Sequence, residues 1–164
     1  DPHIYVDADA CPVKPETVKV AGRHGLPVTF VANAWLQLPR APRVRMQVVT
    51  GAFDAADDWI VEQVIAADVV VTADIPLASR CLKKGARVLG PAGKPFTGDN
   101  IGNALATREL MSDLRAYGVG GGPPPFGPRD RSRFLEALEL AVREARRQRA
   151  GGVAAPVILP AMAP

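Results

Sequence analysis

Aspartates stand at three corresponding places along the chain. Asp7 and Asp9 close a first apolar run, His3-Ile-Tyr-Val-Asp-Ala-Asp9. Asp54, Asp57 and Asp58 open a helix-like segment, and Asp74 closes a second apolar run, Asp68-Val-Val-Val-Thr-Ala-Asp74. In an open α/β fold the crevice outside the carboxyl ends of the strands is where ligands sit. Carboxylates gathered there repel one another, and a hard divalent cation relieves the repulsion, because Mg²⁺ and Mn²⁺ prefer oxygen ligands. Such a cation lowers the pKa of bound water, orients a phosphodiester and stabilises the leaving oxygen. The pattern points to metal-assisted chemistry that needs no side-chain nucleophile.

Each acid also has a plain structural role to set against that chemistry. Asp7 and Asp74 fit turns or helix caps, but both end strands, and Asp9 follows Asp7 at a spacing of two, which in an extended chain points the same way. Asp54 suits a helix N-cap, and Asp57 and Asp58 suit the first turn, where negative charge complements the helix dipole. At 100° per residue, Ile60, Val61, Val64 and Ile65 define a buried face with Asp57 near its centre. A carboxylate in line with a core stripe is paired, protonated or metal-bound. The expected metal ligands are therefore Asp7, Asp9, Asp54, Asp57 and Asp74, with Asp7, Asp57 and Asp74 as the catalytic three. Asp99 reads first as a helix cap and second as an outer ligand. Lys14, Arg129, Arg131 and Arg133 are the candidates for steadying phosphate charge and binding nucleic acid.

Other chemistries fit less well. His3 and His24 make no zinc motif with Cys11 or Cys81, which stand 70 apart. No Gly-x-Ser-x-Gly elbow occurs. Gly120-Gly-Gly122 is followed by prolines rather than Lys-Ser/Thr, so it is no phosphate-binding P-loop. Cys11 beside the acids is a poor nucleophile, since negative charge raises its pKa. Trp35 and Trp59 are of a type that stacks on bases, with ordinary packing the simpler role for each.

The elements that position these residues follow from the apolar pattern. Strands are expected at His3–Asp7, Pro27–Ala32, Arg45–Thr50, Val69–Thr72 and Ala86–Leu89. Helices are expected from Pro15 to about His24, Asp54 to about Ala67, Pro76 to Lys84, a short one capped at Asp99 or Asn100, Thr107–Tyr117, and Arg129–Arg149. The alternation predicts an α/β domain with a mostly parallel central sheet of about four to five strands flanked by helices. The 164 residues suit one domain, 1–150, followed by an Ala/Pro-rich tail, 151–164, with the apolar run Val157-Ile-Leu159. A hydrophobic fraction of 48% and a charged fraction of 23% are ordinary for a globular chain. No apolar run spans a membrane and no signal peptide opens the chain, so a cytoplasmic protein with free thiols is expected. The first residue is not Met, as if an initiator were missing. The formal net charge of +3 is concentrated in the last helix, where seven Arg in 129–149 face Asp130, Glu136, Glu139 and Glu144. That patch is either a solvated helix face or a surface for phosphate backbones.

Val6-Asp-Ala-Asp-Ala-Cys-Pro12, Gly51-Ala-Phe-Asp-Ala-Ala-Asp58 with Ile60, and Thr72-Ala-Asp-Ile-Pro-Leu-Ala78 resemble the YaiI/YqxD family of bacterial proteins (UPF0178, DUF188). The Gly121-Gly-Pro123 loop and the Arg129, Asp130, Arg131 and Phe134 pattern agree with it, and the resemblance covers roughly residues 3–148. It departs from the family pattern at Asp58 and does not extend over Val153–Pro164. The resemblance implies a three-layer PIN-like domain, a fold shared by many Mg²⁺- or Mn²⁺-dependent nucleases, with Asp7, Asp57 and Asp74 as the equivalents of the metal-binding acids. The implied function is a divalent-metal-dependent nuclease acting on RNA ahead of DNA, with nucleic acid as partner, no membrane, and room for a homodimer. Two alternatives stand beside it. One is a non-catalytic nucleic-acid-binding module. The other is a haloacid-dehalogenase-like phosphatase with Asp7 as nucleophile and Asp9 as general acid, although Cys11 stands where that motif has Thr or Val.

Overall fold

The computed structural model describes residues 1–118 and 125–151. Six strands and five helices follow one another as β1 (Ile4–Asp7), α1 (Lys14–His24), β2 (Val28–Ala32), β3 (Val44–Val48), α2 (Ala55–Gln63), β4 (Val69–Val71), α3 (Ile75–Lys83), β5 (Arg87–Leu89), β6 (Pro95–Phe96), α4 (Ile101–Ala116) and α5 (Pro128–Ala150). They form one sheet in the order β3-β2-β1-β4-β5-β6. Every pairing is parallel except β5 with β6. The α/β class and the mostly parallel sheet are as expected, and the short sixth strand adds an antiparallel edge. The strand order reverses between β1 and β4, which makes their carboxyl ends the topological switch point of the sheet.

Strand alternation sorts the core into two layers. Ile4, Val6, Val28, Phe30, Val69 and Val71 pack on one face, under α1 and α5, with Phe134, Leu138 and Val142 fully buried against them. Tyr5, Val31, Val70 and Val88 face the other way, against Ile60 of α2 and Leu77, Cys81 and Leu82 of α3. Val69-Val-Val71 is buried on both sides, as an apolar run without alternation requires. Asp7 shares the parity of Tyr5, and Thr72 that of Val70, so both belong to the α2/α3 side of the sheet. That parity decides where the site forms.

Two helices differ from expectation. α2 stops at Gln63, because Val64 is extended and Ala67 adopts φ 67. The turn is held by Asp68, whose Oδ2 accepts the Ile65 amide at 3.0 Å. Ile60 and Val64 are buried as the helix phase requires, but Ile65, beyond the helix, is 56% exposed. The two helices expected between Asp99 and Tyr117 are a single one, α4. Ala104-Leu-Ala-Thr107 contains no breaker, and Ala and Leu are strong helix formers.

Asp68 is the unanticipated structural residue. It is 2% exposed, and its Oδ1 accepts the His3 amide at 3.0 Å and the Arg149 guanidinium at 2.7 Å. It ties the amino ends of β1 and β4 to the end of α5, at the opposite edge of the sheet from the other acids. Both cysteines are free, as expected, and both are buried. The Gly121-Gly-Pro123 loop, Gly120–Gly122, and the tail from 152 onward lie outside the described residues.

Candidate functional site

The site is built on Thr72, the residue after β4. Its hydroxyl donates to Asp7 Oδ2 at 2.8 Å and accepts the Asp74 backbone amide at 2.9 Å. One hydroxyl therefore connects the carboxyl ends of the two central strands. Asp74 is the N-cap of α3, its Oδ1 accepting the Leu77 amide at 3.0 Å. The helix that this cap starts carries Pro76 in its first turn, where a missing N–H costs nothing. Asp74 thus fills the helix-cap role, one of the two readings of its sequence position, with its carboxylate at the switch point.

The other acids surround this pair to different degrees. Asp7 is half-buried, and burial pushes its carboxyl above the ordinary range. The Thr72 hydrogen bond opposes that rise, and the charges of Asp74 and Asp9 add to it. Asp57, in the first turn of α2, is pushed up to about 6, first by burial and then by the charges of Asp74, Asp7 and Asp54, with Arg80 opposing. A carboxylate beside like charges holds its proton more tightly, so the smaller, charge-driven part of each rise reflects the nearness of the acids across β1, α2 and α3. Asp9 is exposed, and its Oδ2 accepts the Asn33 amide from the loop after β2 at 3.3 Å. Asp54 is exposed at the N-cap position of α2 without a capping hydrogen bond. Asp58 is turned outward to Arg80 at 2.9 Å. Asp99 is exposed just ahead of Asn100, the actual N-cap of α4.

Among the described residues, no group of three or more His, Cys, Asp or Glu side chains stands as a ready-made metal cage. The available donors at the switch point are all carboxylate and hydroxyl oxygens. Neither thiol competes: burial pushes Cys11 up and Cys81 up to about 12.

The basic residues divide into engaged and free. Lys14 donates to the Cys11 carbonyl at 2.8 Å. Arg131 donates to the Pro12 carbonyl at 2.7 Å, faces Glu16 at 3.4 Å and lies 5.0 Å over the Phe126 ring. With Asp130 accepting the Gly127 amide at 2.9 Å and Phe134 fully buried, the Arg129–Phe134 pattern clamps the first turn of α5 onto the loop after β1. Arg129 and Arg133 are exposed and make no ion pair among the described residues. Trp59 packs edge-on against Tyr5, 6.2 Å between centroids, whereas Trp35 is 70% exposed beyond β2. Thr72 itself was missed as the hub of the site. The signal available was its parity with Asp7 on an adjacent central strand.

No helix among the described residues is long and apolar enough to cross a membrane. No solved structure matches the chain at a significant level. The family model described as DUF188, uncharacterized BCR, YaiI/YqxD family, matches residues 5–144. The UPF0178 protein RPA2191 of Rhodopseudomonas palustris is 57% identical over 148 residues, covering 90% of this chain and 94% of the relative. The UPF0178 protein amb2838 of Paramagnetospirillum magneticum is 59% identical over 145 residues, 88% of this chain and 96% of the relative. A UPF0178 protein of Brucella ovis is 59% identical over 150 residues, 90% of this chain and 92% of the relative. With most of its length matched on both counts, the chain belongs to the YaiI/YqxD family.

Proposed function

We propose that the chain is a cytoplasmic, divalent-metal-dependent nuclease that hydrolyses phosphodiester bonds, in RNA ahead of DNA. The observation that carries the reading is the Asp7–Thr72–Asp74 connection at the switch point, with Asp57, raised to about 6 first by burial, close enough for the charges of Asp74 and Asp7 to add to the rise. Oxygen-only donors fit Mg²⁺ or Mn²⁺ and disfavour softer metals. Mg²⁺ needs no complete protein cage, since it keeps several waters and takes one or two carboxylates plus substrate phosphate. Asp7 and Asp74 would hold the ion, with Asp57, Asp9 and Asp54 adding negative potential around it. The bound cation would supply an activated water and charge stabilisation on the leaving oxygen. Thr72 orients Asp7 by occupying Oδ2, and among the described residues Asp7 Oδ1 takes no hydrogen bond.

The test is cleavage of a quenched fluorescent single-stranded RNA with Mn²⁺ or Mg²⁺. The wild-type chain should cleave it, EDTA should stop it, and Asp7→Asn should lower the rate by about 100-fold or more while the protein still folds. Cleavage that persists in Asp7→Asn or in EDTA overturns the proposal. Phosphate release from small esters in its place would favour the phosphatase chemistry, and RNA binding with no cleavage at any metal concentration the binding module.

A further inference from the structure

A second feature lies directly beside the acids. The face of α4 turned toward β6 and the start of α3 borders a groove of about 550 Å³, lined in part by Ile75, Lys94, Phe96, Arg108, Met111 and Arg115. Residues 104, 108, 111 and 115 recur at helical spacing, so the two arginines belong to one stripe of α4. Glu109 and Asp113 are on the same helix but do not line the groove. Lys94, Arg108 and Arg115 are exposed, and none makes an ion pair among the described residues. Three cations gathered on one concave surface without acidic partners call for an anionic occupant. Phe96 and Met111 add apolar surface between the charges.

The groove approaches the acid site at Ile75, which lines it. Ile75 is the neighbour of Asp74. The β5–β6 loop lies against the residue that bridges the acids: a Cβ on Gly90 would stand 3.7 Å from the Lys94 carbonyl and 3.8 Å from the Thr72 carbonyl. From Asn100 to Arg115 the helix runs about 22 Å, at about 1.5 Å per residue, which exceeds one phosphate group. A repeating anion with flat faces to lay on apolar side chains is the occupant that fits. We propose that this groove binds the phosphodiester backbone of a single-stranded nucleic acid and leads it to the acids. The destination rests on the nuclease reading, and the binding does not. It assigns the nucleic-acid contact to Lys94, Arg108 and Arg115, beyond the basic turn of α5.

The experiment measures binding of a short labelled single-stranded RNA by fluorescence anisotropy in EDTA, so that cleavage cannot intervene. The variant Lys94→Gln/Arg108→Gln/Arg115→Gln is compared with Lys19→Gln/Arg143→Gln/Arg147→Gln, which removes equal charge from α1 and α5. The groove variant should lose about 10-fold or more in affinity, and its slope of log affinity against log salt should fall by about 2, at about 0.7 per phosphate contact. The control variant should keep its slope. Equal losses in both variants, an unchanged groove variant, or tighter binding of duplex than of single strands overturns the proposal, and single-stranded DNA run alongside shows whether the sugar is read. Asp7→Asn that cleaves normally, with groove-dependent binding intact, sinks only the nuclease reading. A groove variant that binds normally, beside an Asp7→Asn that cannot cleave, sinks only the groove.

Discussion

Replacing Asp57 by asparagine should stabilise the metal-free protein at high pH and have no such effect in acid. The folded-state pKa of Asp57, about 6, lies above its ordinary 3.8, so the native state binds the proton more tightly than the unfolded chain does. The resulting stability is fully present below about pH 4 and is lost as pH rises through about 6. The full difference corresponds to about 3 kcal/mol at 1.36 kcal/mol per pH unit. Asp57 is only partly buried, and solvent screening reduces the figure to about 1 kcal/mol. The helix dipole argues the other way, because Asp57 is in the first turn of α2 and a negative charge there contributes about 0.3–1 kcal/mol. The raised pKa says that burial and repulsion by Asp74 and Asp7 outweigh that benefit. Thermal melts in EDTA at about pH 8 should therefore place Asp57→Asn about 2–4 °C above wild type, with the gap closed near pH 4. Excess Mn²⁺ should reverse the order: with the lost charge weakening binding about 10-fold, Mn²⁺ at about 100 times the wild-type Kd stabilises the wild type by about 2.7 kcal/mol and the variant by about 1.4 kcal/mol. A variant that melts lower than wild type at high pH in EDTA would refute the reasoning, for it would mean that Asp57 serves only the helix dipole.

Thr72→Val keeps the shape but removes the hydroxyl that serves Asp7 and the Asp74 amide. It should cost about 1–3 kcal/mol of stability and weaken Mn²⁺ binding in calorimetry, and unchanged affinity would count against Thr72 as the hub. Asp68→Ala strands the Arg149 guanidinium and the His3 and Ile65 amides. Urea melts should show a loss of about 3–5 kcal/mol, with cleavage per folded molecule preserved because Asp68 is at the far edge of the sheet. Gly93→Ala should destabilise by at least about 1–3 kcal/mol in the same assay, because φ is +88 and a Cβ would stand 2.6 Å from the Arg133 carbonyl carbon in the backbone of α5.

Periodicity made most of the fold legible. The buried Val69-Val-Val71 run, the Pro-started helices and the Gly25 stop of α1 each have a local cause, and each stands where the pattern put it. Local pattern was weakest at element ends. α2 ends early because Asp68, five residues beyond it, accepts the Ile65 amide into a turn, and helix phase carries no information about that contact. β6 is two residues long and pairs only because β5 lies beside it. The acids were legible as a set, since strand ends and helix starts are marked in the chain. Their ranking was not, because it depends on which neighbours share a face.

The amino-acid sequence by itself determined the α/β alternation, the family, and the concentration of carboxylates at one edge of a parallel sheet. These are consequences of hydrophobic period, turn chemistry and residue identity, all local quantities. The tertiary structure alone decided that Thr72 joins Asp7 to Asp74, that Asp58 turns away to Arg80, and that Arg131 and Lys14 are engaged with backbone carbonyls. It also decided that Lys94, Arg108 and Arg115 share one groove beside the acids. Those facts depend on strand order and side-chain parity across residues up to 119 positions apart. Hydrogen bonds and Coulomb interactions act over a few ångströms, so only the packing of the sheet and its helices sets which of these groups meet.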